Sequence, residues 1–241
     1  MESNVFFKRI EVELDPYLPH GRYIYHDLRS KDFTVTGPDN FLGGRRWPSG
    51  VKSVLWEPFI PAMDQGQLGS CTGHAMAHVL ASPAKGRYGP RLRGINKAAA
   101  ELLYSGGTYL DSIPGTWPPV DTGGSGLGVM KYCHRLGLVR AYQHAFTLAQ
   151  TITALQWTPV TMGMTWKENM FWPDRAGLVS WSGPVTGGHQ VALIGVNLEA
   201  GLMTFRNSWG PGWGLQGNFS MTFEDFEAAL ADFGDVVVPV W

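Results

Sequence analysis

Residues 64–80 read DQGQLGSCTGHAMAHVL and place a cysteine where a glycine-rich loop runs into a helix. Two glycines let this loop turn tightly, and Ser70 is a favourable N-cap residue. Residues 72–82 are rich in Ala, Met, Val and Leu until Pro83 stops the helical pattern. The pattern therefore predicts a helix whose first turn contains Cys71.

Cys71 has three possible roles at this position. The unpaired N–H groups and the positive dipole end of a helix stabilise a thiolate, which turns a thiol with a usual pKa of about 8.5 into a nucleophile. A free cysteine is more commonly a small buried apolar residue. Cys71 also shares one helix face with His74 and His78, and this spacing would suit zinc if a fourth ligand were supplied.

The composition excludes several classes of protein. The chain has 241 residues, enough for one large domain or two lobes that share a core. Its 19 basic and 20 acidic residues nearly cancel, so neither nucleic acid nor a membrane surface is an expected partner. A charged fraction of 16%, with 31 glycines and 10 tryptophans, suits a loop-rich fold and is compatible with a place in a larger phage or bacterial assembly.

The two cysteines and the N-terminus bear on the compartment. Two cysteines make no disulfide framework, and a working thiol favours a reducing environment. The first residues, MESNVFFK, lack the pattern of a signal peptide, and no apolar run approaches the roughly 20 residues of a membrane span. We therefore expect a cytoplasmic or virion-associated protein.

The hydrophobic pattern predicts an α+β protein with two different halves. Residues 1–55 form an N-terminal extension of strands and loops without a helix, and residues 56–241 form one domain. Its first half, about 65–140, is helical, and its second half, about 145–241, is β-rich. The predicted helices are 72–82, 96–105, 127–136, 147–156 and 222–230. The predicted strands are 54–60, 160–165, 178–181, 190–196, 202–206, 218–222 and 235–240. Loops are predicted at 43–48, 85–94 and 106–126.

Three details of the helices can be tested. Asn96 is the predicted cap of the second helix, whose buried side would include Leu102 and Leu103 as well as two alanines, Ala98 and Ala99. Cys133 shares a face with apolar residues of the third helix, which predicts a packed core thiol.

A nucleophilic thiol needs a base, and the base needs an orienting group. Among seven histidines, His189 follows two glycines and opens an apolar strand, where a substrate can reach it. Asn207 ends the next strand, and its amide oxygen can hold an imidazole without adding charge. The alternatives are a surface histidine and a turn rich in Asn, Gly and Trp.

These motifs together resemble those of the papain-like cysteine peptidases. The three blocks, in the family's order, are QGQLGSC at residues 65–71, GHQV at 188–191 and NSWG at 207–210. His189 follows Cys71 somewhat sooner than the roughly 130–150 residues typical of papain, whereas Asn207 fits that spacing. The resemblance covers about residues 65–214 and implies a helical lobe, a β-barrel-like lobe and a cleft between them.

The resemblance also implies roles for particular residues. Cys71 would be the nucleophile and His189 its proton partner, Asn207 would orient His189, and Gln65 would form an oxyanion hole with the Cys71 N–H. Backbone groups of Gly123, Gly124 and Gly188 and the side chain of Trp209 would contact the substrate. The implied reaction is hydrolysis of a peptide or protein substrate with no cofactor and no metal.

The sequence departs from the family's usual pattern in ways that resemble its bacterial and phage branch. Leu68 and Asp121 stand where the family has the two cysteines of a disulfide, so both halves of that bridge are missing. The 64 residues before Gln65 are too many for the family's mature start and too few for its usual inhibitory propeptide. They could cap the cleft, extend the barrel or bind a partner.

Two other functions stay open. The chain could be a phage virion structural or assembly protein that retained the fold, although four intact catalytic-type residues argue against an inactive scaffold. It could also hydrolyse the peptide amides of a cell wall with the same four residues.

Overall fold

The computed structural model describes residues 6–8, 21–22, 24–26, 28–35, 50–84 and 94–241. The loop predicted at 43–48 and nearly all of that at 85–94 lie outside the described residues. Within the described part of the chain, no helix combines the length and the apolar character needed to cross a membrane.

The helical half contains α1 (Cys71–Leu80), α2 (Lys97–Leu110) and α3 (Gly126–Arg135). All ten residues of α1 are buried, because this helix packs against α2 on one side and against the sheet on the other. The predicted cap of α2 is confirmed, since Asn96 Oδ1 accepts from Ala99 N at 3.1 Å. Cys133 in α3 is fully buried in the core, as predicted.

Helix α2 is longer than predicted and buries a different face. It continues through Gly106 and Gly107, which the sequence had marked as the start of a loop. A Cβ at Gly107 would lie 2.5 Å from Val129 Cγ2 and 3.0 Å from Val129 N, so the glycine allows α3 to approach closely. Leu102 is 57% exposed, whereas Leu103 is buried as expected.

The β-rich half is built on one antiparallel sheet of seven strands. Its strands are β3 (Val54–Leu55), β4 (Ala141–Ala145), β5 (Val160–Lys167), β6 (Val185–Asn197), β7 (Leu202–Arg206), β8 (Asn218–Thr222) and β9 (Asp235–Val240). The spatial order is β4-β9-β5-β6-β7-β8, with β3 also paired to β6. This sheet is not a closed barrel, but the predicted α+β class with a helical and a β-rich lobe is confirmed.

Most predicted strands and both later helices are present. Strands β7, β8 and β9 have the predicted bounds, and α4 (Leu148–Leu155) and α5 (Phe223–Ala231) begin at capping threonines. Strand β4 was not predicted. Residues 178–181 form only an isolated bridge, between Leu178 and Ser220, and the extended segment predicted at 54–60 is limited to the two residues of β3.

The N-terminal extension touches the rest of the protein at several points. Strands β1 (Phe6–Lys8) and β2 (Ile24–His26) pair with each other, and β3 joins the edge of β6. Residues Leu28–Phe33 form a 3₁₀ helix, so the prediction of an extension without helical structure was wrong there. The extension therefore adds to the sheet, and it also reaches the region around Cys71, as described below.

Candidate active site

Cys71 is the first residue of α1, as the sequence predicts. Ser70 occupies the cap position, but its side chain does not cap the helix. Its hydroxyl instead lies 3.1 Å from His74 Nδ1, which also lies 3.0 Å from the Ser70 carbonyl oxygen. The serine thus fixes a buried histidine one turn along the helix, and the prediction of a side-chain cap was wrong.

The thiol of Cys71 is completely buried, and this burial raises its pKa to about 11. Backbone N–H groups of Gln190, Gly21 and Thr72 and the charge of Arg22 act in the opposite direction but do not offset the burial. In this arrangement the thiol is protonated, unlike the thiolate expected from the helix terminus. One of these N–H groups belongs to Gln190, the residue after His189 in β6.

His189 and Asn207 are brought together by neighbouring strands. His189 lies in β6, and Asn207 directly follows β7, which pairs with β6. His189 Nε2 is 2.7 Å from Asn207 Oδ1, and both residues are fully buried. Asn207 Oδ1 also accepts from Ser208 N at 2.8 Å, which fixes the amide. The imidazole is therefore held through Nε2.

Two tryptophans enclose this hydrogen bond. The Trp209 ring stacks on the His189 ring with centroids 4.8 Å apart, and Trp166 meets His189 edge to face at 5.0 Å. Phe171 stacks on the far side of Trp209 at 5.5 Å. The aromatic cluster keeps water from the His189–Asn207 pair, so that bond acts in a low-dielectric environment. The sequence predicts Trp209 at this place but not Trp166, which comes from β5.

Gln65 is held beside the loop that contains Asn207. Its backbone N donates to Ser208 O at 2.9 Å, and its side-chain Oε1 accepts from the Ser208 hydroxyl at 2.6 Å. One N–H of the amide donates to Leu68 O at 3.0 Å. Both polar atoms of the Gln65 amide are thus held, one by the loop that contains Asn207 and the other by the loop that leads to Cys71.

The glycine pair Gly123–Gly124 is anchored by two residues that the motifs did not indicate. Tyr104 of α2 accepts from Gly123 N at 2.9 Å and donates to Asp121. The second carboxylate oxygen of Asp121 accepts from Gly69 N at 2.8 Å. Asp121 thus links the glycine loop to the loop before Cys71. In the family that the motifs resemble, a disulfide lies at this place.

The dipeptide Gly21–Arg22 crosses the cleft over Cys71. Gly124 N donates to Gly21 O at 2.7 Å, and Arg22 N donates to Gly188 O at 3.1 Å. A Cβ at Gly21 would overlap the carbonyl of Gly69, so only glycine passes at this point. The N-terminal extension therefore occupies the backbone groups of Gly124 and Gly188 that the sequence predicts for a substrate.

The zinc alternative has no support from the geometry. His74 bonds to Ser70, and His78 Nε2 accepts from Met63 N at 3.1 Å. Burial lowers the pKa of His74 to about 4 and, with the charge of Arg206, that of His78 well below 6.5. Across the residues that the structure describes, no three His, Cys, Asp or Glu side chains are grouped to hold a metal ion.

The cleft therefore gathers the predicted residues from both halves of the chain. Asn207 bonds to His189, and Gln65 bonds to Ser208, the residue after Asn207. Cys71 accepts from the backbone N–H of Gln190, the residue after His189. The crossing dipeptide connects the glycines at 124 and 188 above the thiol. This architecture matches solved structures of cysteine proteases.

The chain has a papain-like fold. Xylellain, a cysteine protease from Xylella fastidiosa, superposes with a TM-score of 0.66 over 98% of this chain and 99% of that chain, at 17% identity. A Carica candamarcensis cysteine protease solved with E-64 gives 0.52 at 18% identity, covering 75% of this chain and 92% of its own. Procathepsin L2 from Tenebrio molitor gives 0.54 at 16% identity, covering 92% and 78%.

The likeness to these solved structures is one of fold. No protein-family model matches the chain, and no curated protein matches it in sequence.

Proposed function

We propose that this protein is a cysteine peptidase in which Cys71 attacks the peptide carbonyl and His189 transfers the proton. The observation that supports this most directly is the buried 2.7 Å bond between His189 Nε2 and Asn207 Oδ1, next to the start of α1. A base held through one nitrogen by a neutral amide presents its other nitrogen in a fixed direction, which proton transfer requires.

The proposed reaction has two halves. The Cys71 thiol gives its proton to His189, and the sulfur bonds to the substrate carbonyl carbon while the carbonyl oxygen becomes an oxyanion. Gln65 and the Cys71 N–H donate to that oxygen. His189 then protonates the departing amine, which leaves a thioester on Cys71, and water activated by His189 hydrolyses the thioester and restores the thiol.

Peptide substrates are favoured by the backbone groups around Cys71. The N–H of Gly124 and the carbonyl of Gly188 both bind a stretch of peptide in this structure, namely Gly21–Arg22. An extended substrate can use the same two groups once that dipeptide leaves the cleft. No specific observation favours the virion structural role or the cell-wall amide substrate, and both stay predictions from the sequence.

The test is hydrolysis of a mixed fluorogenic peptide library, with labelling by an E-64-type epoxide at pH 6 followed by mass spectrometry. Both are measured on the full chain and on an Arg22→Ala variant that opens the cleft. We expect hydrolysis and an adduct on Cys71, both lost in Cys71→Ala and in His189→Ala. Cys133→Ala is the matched control, because Cys133 is also a buried free thiol, and it should keep both signals. Absence of hydrolysis and of the adduct in both chains would overturn the peptidase function.

A further inference from the structure

The side chain of Arg22 fills a pocket beside Cys71. It is entirely buried, and its guanidinium forms an ion pair with Asp235, whose side chain is 13% exposed. Arg22 Nη2 also donates to the carbonyl oxygen of Phe233 at 3.0 Å. A carboxylate and a carbonyl oxygen at the end of a narrow pocket are two acceptors for one cationic side chain.

The walls of this pocket leave space for a long side chain. A Cβ at Gly163 would overlap Arg22 Nε and would lie 2.6 Å from both Asp235 Oδ1 and Gln190 Oε1, so the absence of a side chain at 163 makes the room. Gln190 adds an amide whose two polar atoms have no hydrogen-bond partner among the described residues. The pocket is therefore polar on several sides.

From this geometry we propose that the pocket ending at Asp235 selects a basic side chain, arginine above all, in the substrate. The proposal rests on the proposed peptidase function. The Gly21 N–H faces the sulfur of Cys71, whereas a substrate must present its carbonyl carbon there, so a substrate runs in the opposite direction to Gly21–Arg22. The substrate residue in the place of Gly21 carries the cleaved carbonyl group. The residue before it lies in the place of Arg22, so the pocket reads the second residue on the N-terminal side of the cleaved bond.

The selectivity follows from the cost of leaving a charge unpaired. When an apolar side chain displaces Arg22, Asp235 loses its cationic partner in a largely buried place, and such a carboxylate is strongly penalised. A guanidinium restores the ion pair and also reaches the Phe233 carbonyl. The ammonium of lysine is a single compact charge without this planar array of donors, so arginine is favoured over lysine.

The kinetic test uses Arg22→Ala throughout, so that the pocket is empty. Fluorogenic peptides that differ only in arginine or leucine at the second residue from the cleaved bond are compared by kcat/KM. We expect at least a tenfold preference for arginine. Asp235→Asn should remove that preference, because it lowers kcat/KM for the arginine peptide and raises kcat/KM for the leucine peptide. Glu227→Gln, which removes the same charge from an exposed position of α5, is the matched control and should keep the preference.

A second variant tests the space in the pocket. Gly163→Ala should lower kcat/KM for the arginine peptide at least tenfold and spare a peptide with glycine at that residue. If the arginine and leucine peptides are cleaved equally and Asp235→Asn changes neither, the proposed specificity is wrong although the peptidase function stands.

Binding provides a readout that needs no catalysis. In the Cys71→Ala, Arg22→Ala double variant, calorimetry should show acetyl-Arg-Gly-amide binding at least tenfold tighter than acetyl-Leu-Gly-amide, with the difference lost in Asp235→Asn. Equal binding of the two peptides overturns the pocket proposal even if no substrate is ever cleaved. Selective binding without hydrolysis in any active variant overturns only the peptidase function.

Discussion

Asp121 connects the two loops that border the thiol. One carboxylate oxygen accepts from Gly69 N, two residues before Cys71, and the other accepts from the Tyr104 hydroxyl, which itself holds Gly123. Burial and the adjacent Asp121 raise the pKa of Tyr104, so the phenol stays a neutral donor. A hydrogen-bonded carboxylate thus performs here the linking role of a disulfide, which suits a chain whose two cysteines are both free.

Replacing Asp121 should loosen both loops at once. We expect Asp121→Ala to lower kcat/KM about tenfold and the free energy of unfolding by about 1–2 kcal/mol, because two hydrogen bonds to a charged group are lost. Asp121→Asn keeps an acceptor and should recover part of both losses. Steady-state kinetics and urea unfolding measure the two effects. Unchanged kinetics in Asp121→Ala would show that the loops are held by other contacts.

The two buried histidines of α1 make stability depend on pH. Both have pKa values lowered by burial, His74 to about 4 and His78 well below 6.5. The unfolded chain therefore binds protons below about pH 6.5 that the folded chain does not, and stability is present above that pH and declines as the pH falls toward 4. Each histidine contributes a slope of up to about 1.4 kcal/mol per pH unit.

Urea unfolding between pH 7.5 and 5 measures that slope. His78→Gln is the informative variant, because its amide oxygen can replace Nε2 as the acceptor for Met63 N but does not titrate. In this variant, the slope of the unfolding free energy against pH should be smaller by the contribution of one histidine. An identical slope in the variant and the unchanged chain would mean that other groups determine the pH dependence.

At the level of elements, the sequence predicts a helix or strand correctly where its hydrophobic periodicity and its capping residues indicate the same structure. Strand β8 alternates clearly, β9 is a run rich in β-branched residues, and both have the predicted bounds, as does β7. The Asn96 cap of α2 is also confirmed. The predicted end of α2 was wrong because Gly106 and Gly107 are typical of a loop. In the structure they lie inside the helix and allow α3 to pack closely against it. Strand β4 was missed because its pairing partner, β9, lies almost a hundred residues later.

The glycines inside α2 allow a direct test of that explanation. Alanine is favoured over glycine in a helix by about 1 kcal/mol, yet Gly107→Ala should lower the free energy of unfolding by about 1–3 kcal/mol, because the new methyl group meets the backbone of Val129. Gly212→Ala is the control, since a Cβ there meets no atom within 4 Å. Chemical denaturation of both variants decides the point, and a stabilised Gly107→Ala would refute close packing as the cause.

The residues of the candidate site also differ in whether the sequence around them predicts their role. Cys71, His189 and Asn207 lie in short motifs whose residue types already specify their chemistry. Asp121 and Asp235 carry no motif, and each acquires a role only through partners far away in the chain, Gly69 and Tyr104 for one and Arg22 for the other. No local pattern specifies which carboxylate meets which partner, so these contacts could not be predicted from the sequence.

At the level of the whole molecule, the N-terminal extension and the two lobes depend on one another. Strand β3 extends the sheet at β6, and Gly21–Arg22 lies between the glycine loop of the helical lobe and the Gly188 end of β6. The dipeptide covers Cys71, and the resulting burial raises the pKa of the thiol to about 11. The same contacts that bind the extension therefore keep the Cys71 thiol protonated and inaccessible.

A single methyl group added at residue 21 should expose the thiol of Cys71 and lower its pKa. Gly21→Ala places a Cβ against the Gly69 carbonyl, where no space exists, so the dipeptide must leave the cleft and the desolvation of Cys71 must fall. We expect the rate of Cys71 alkylation by iodoacetamide at pH 8 to rise at least tenfold, with the pKa of labelling shifted downward.

Labelling of Cys133, buried within the core far from residue 21 in sequence, should not change and serves as an internal control. Gly94→Ala, where a Cβ meets no atom within 4 Å, should behave like the unchanged chain. If Gly21→Ala leaves Cys71 as unreactive as before, the burial of the thiol arises from the lobes themselves and not from the extension, and the cleft would then have to open by a movement of α1 against β6.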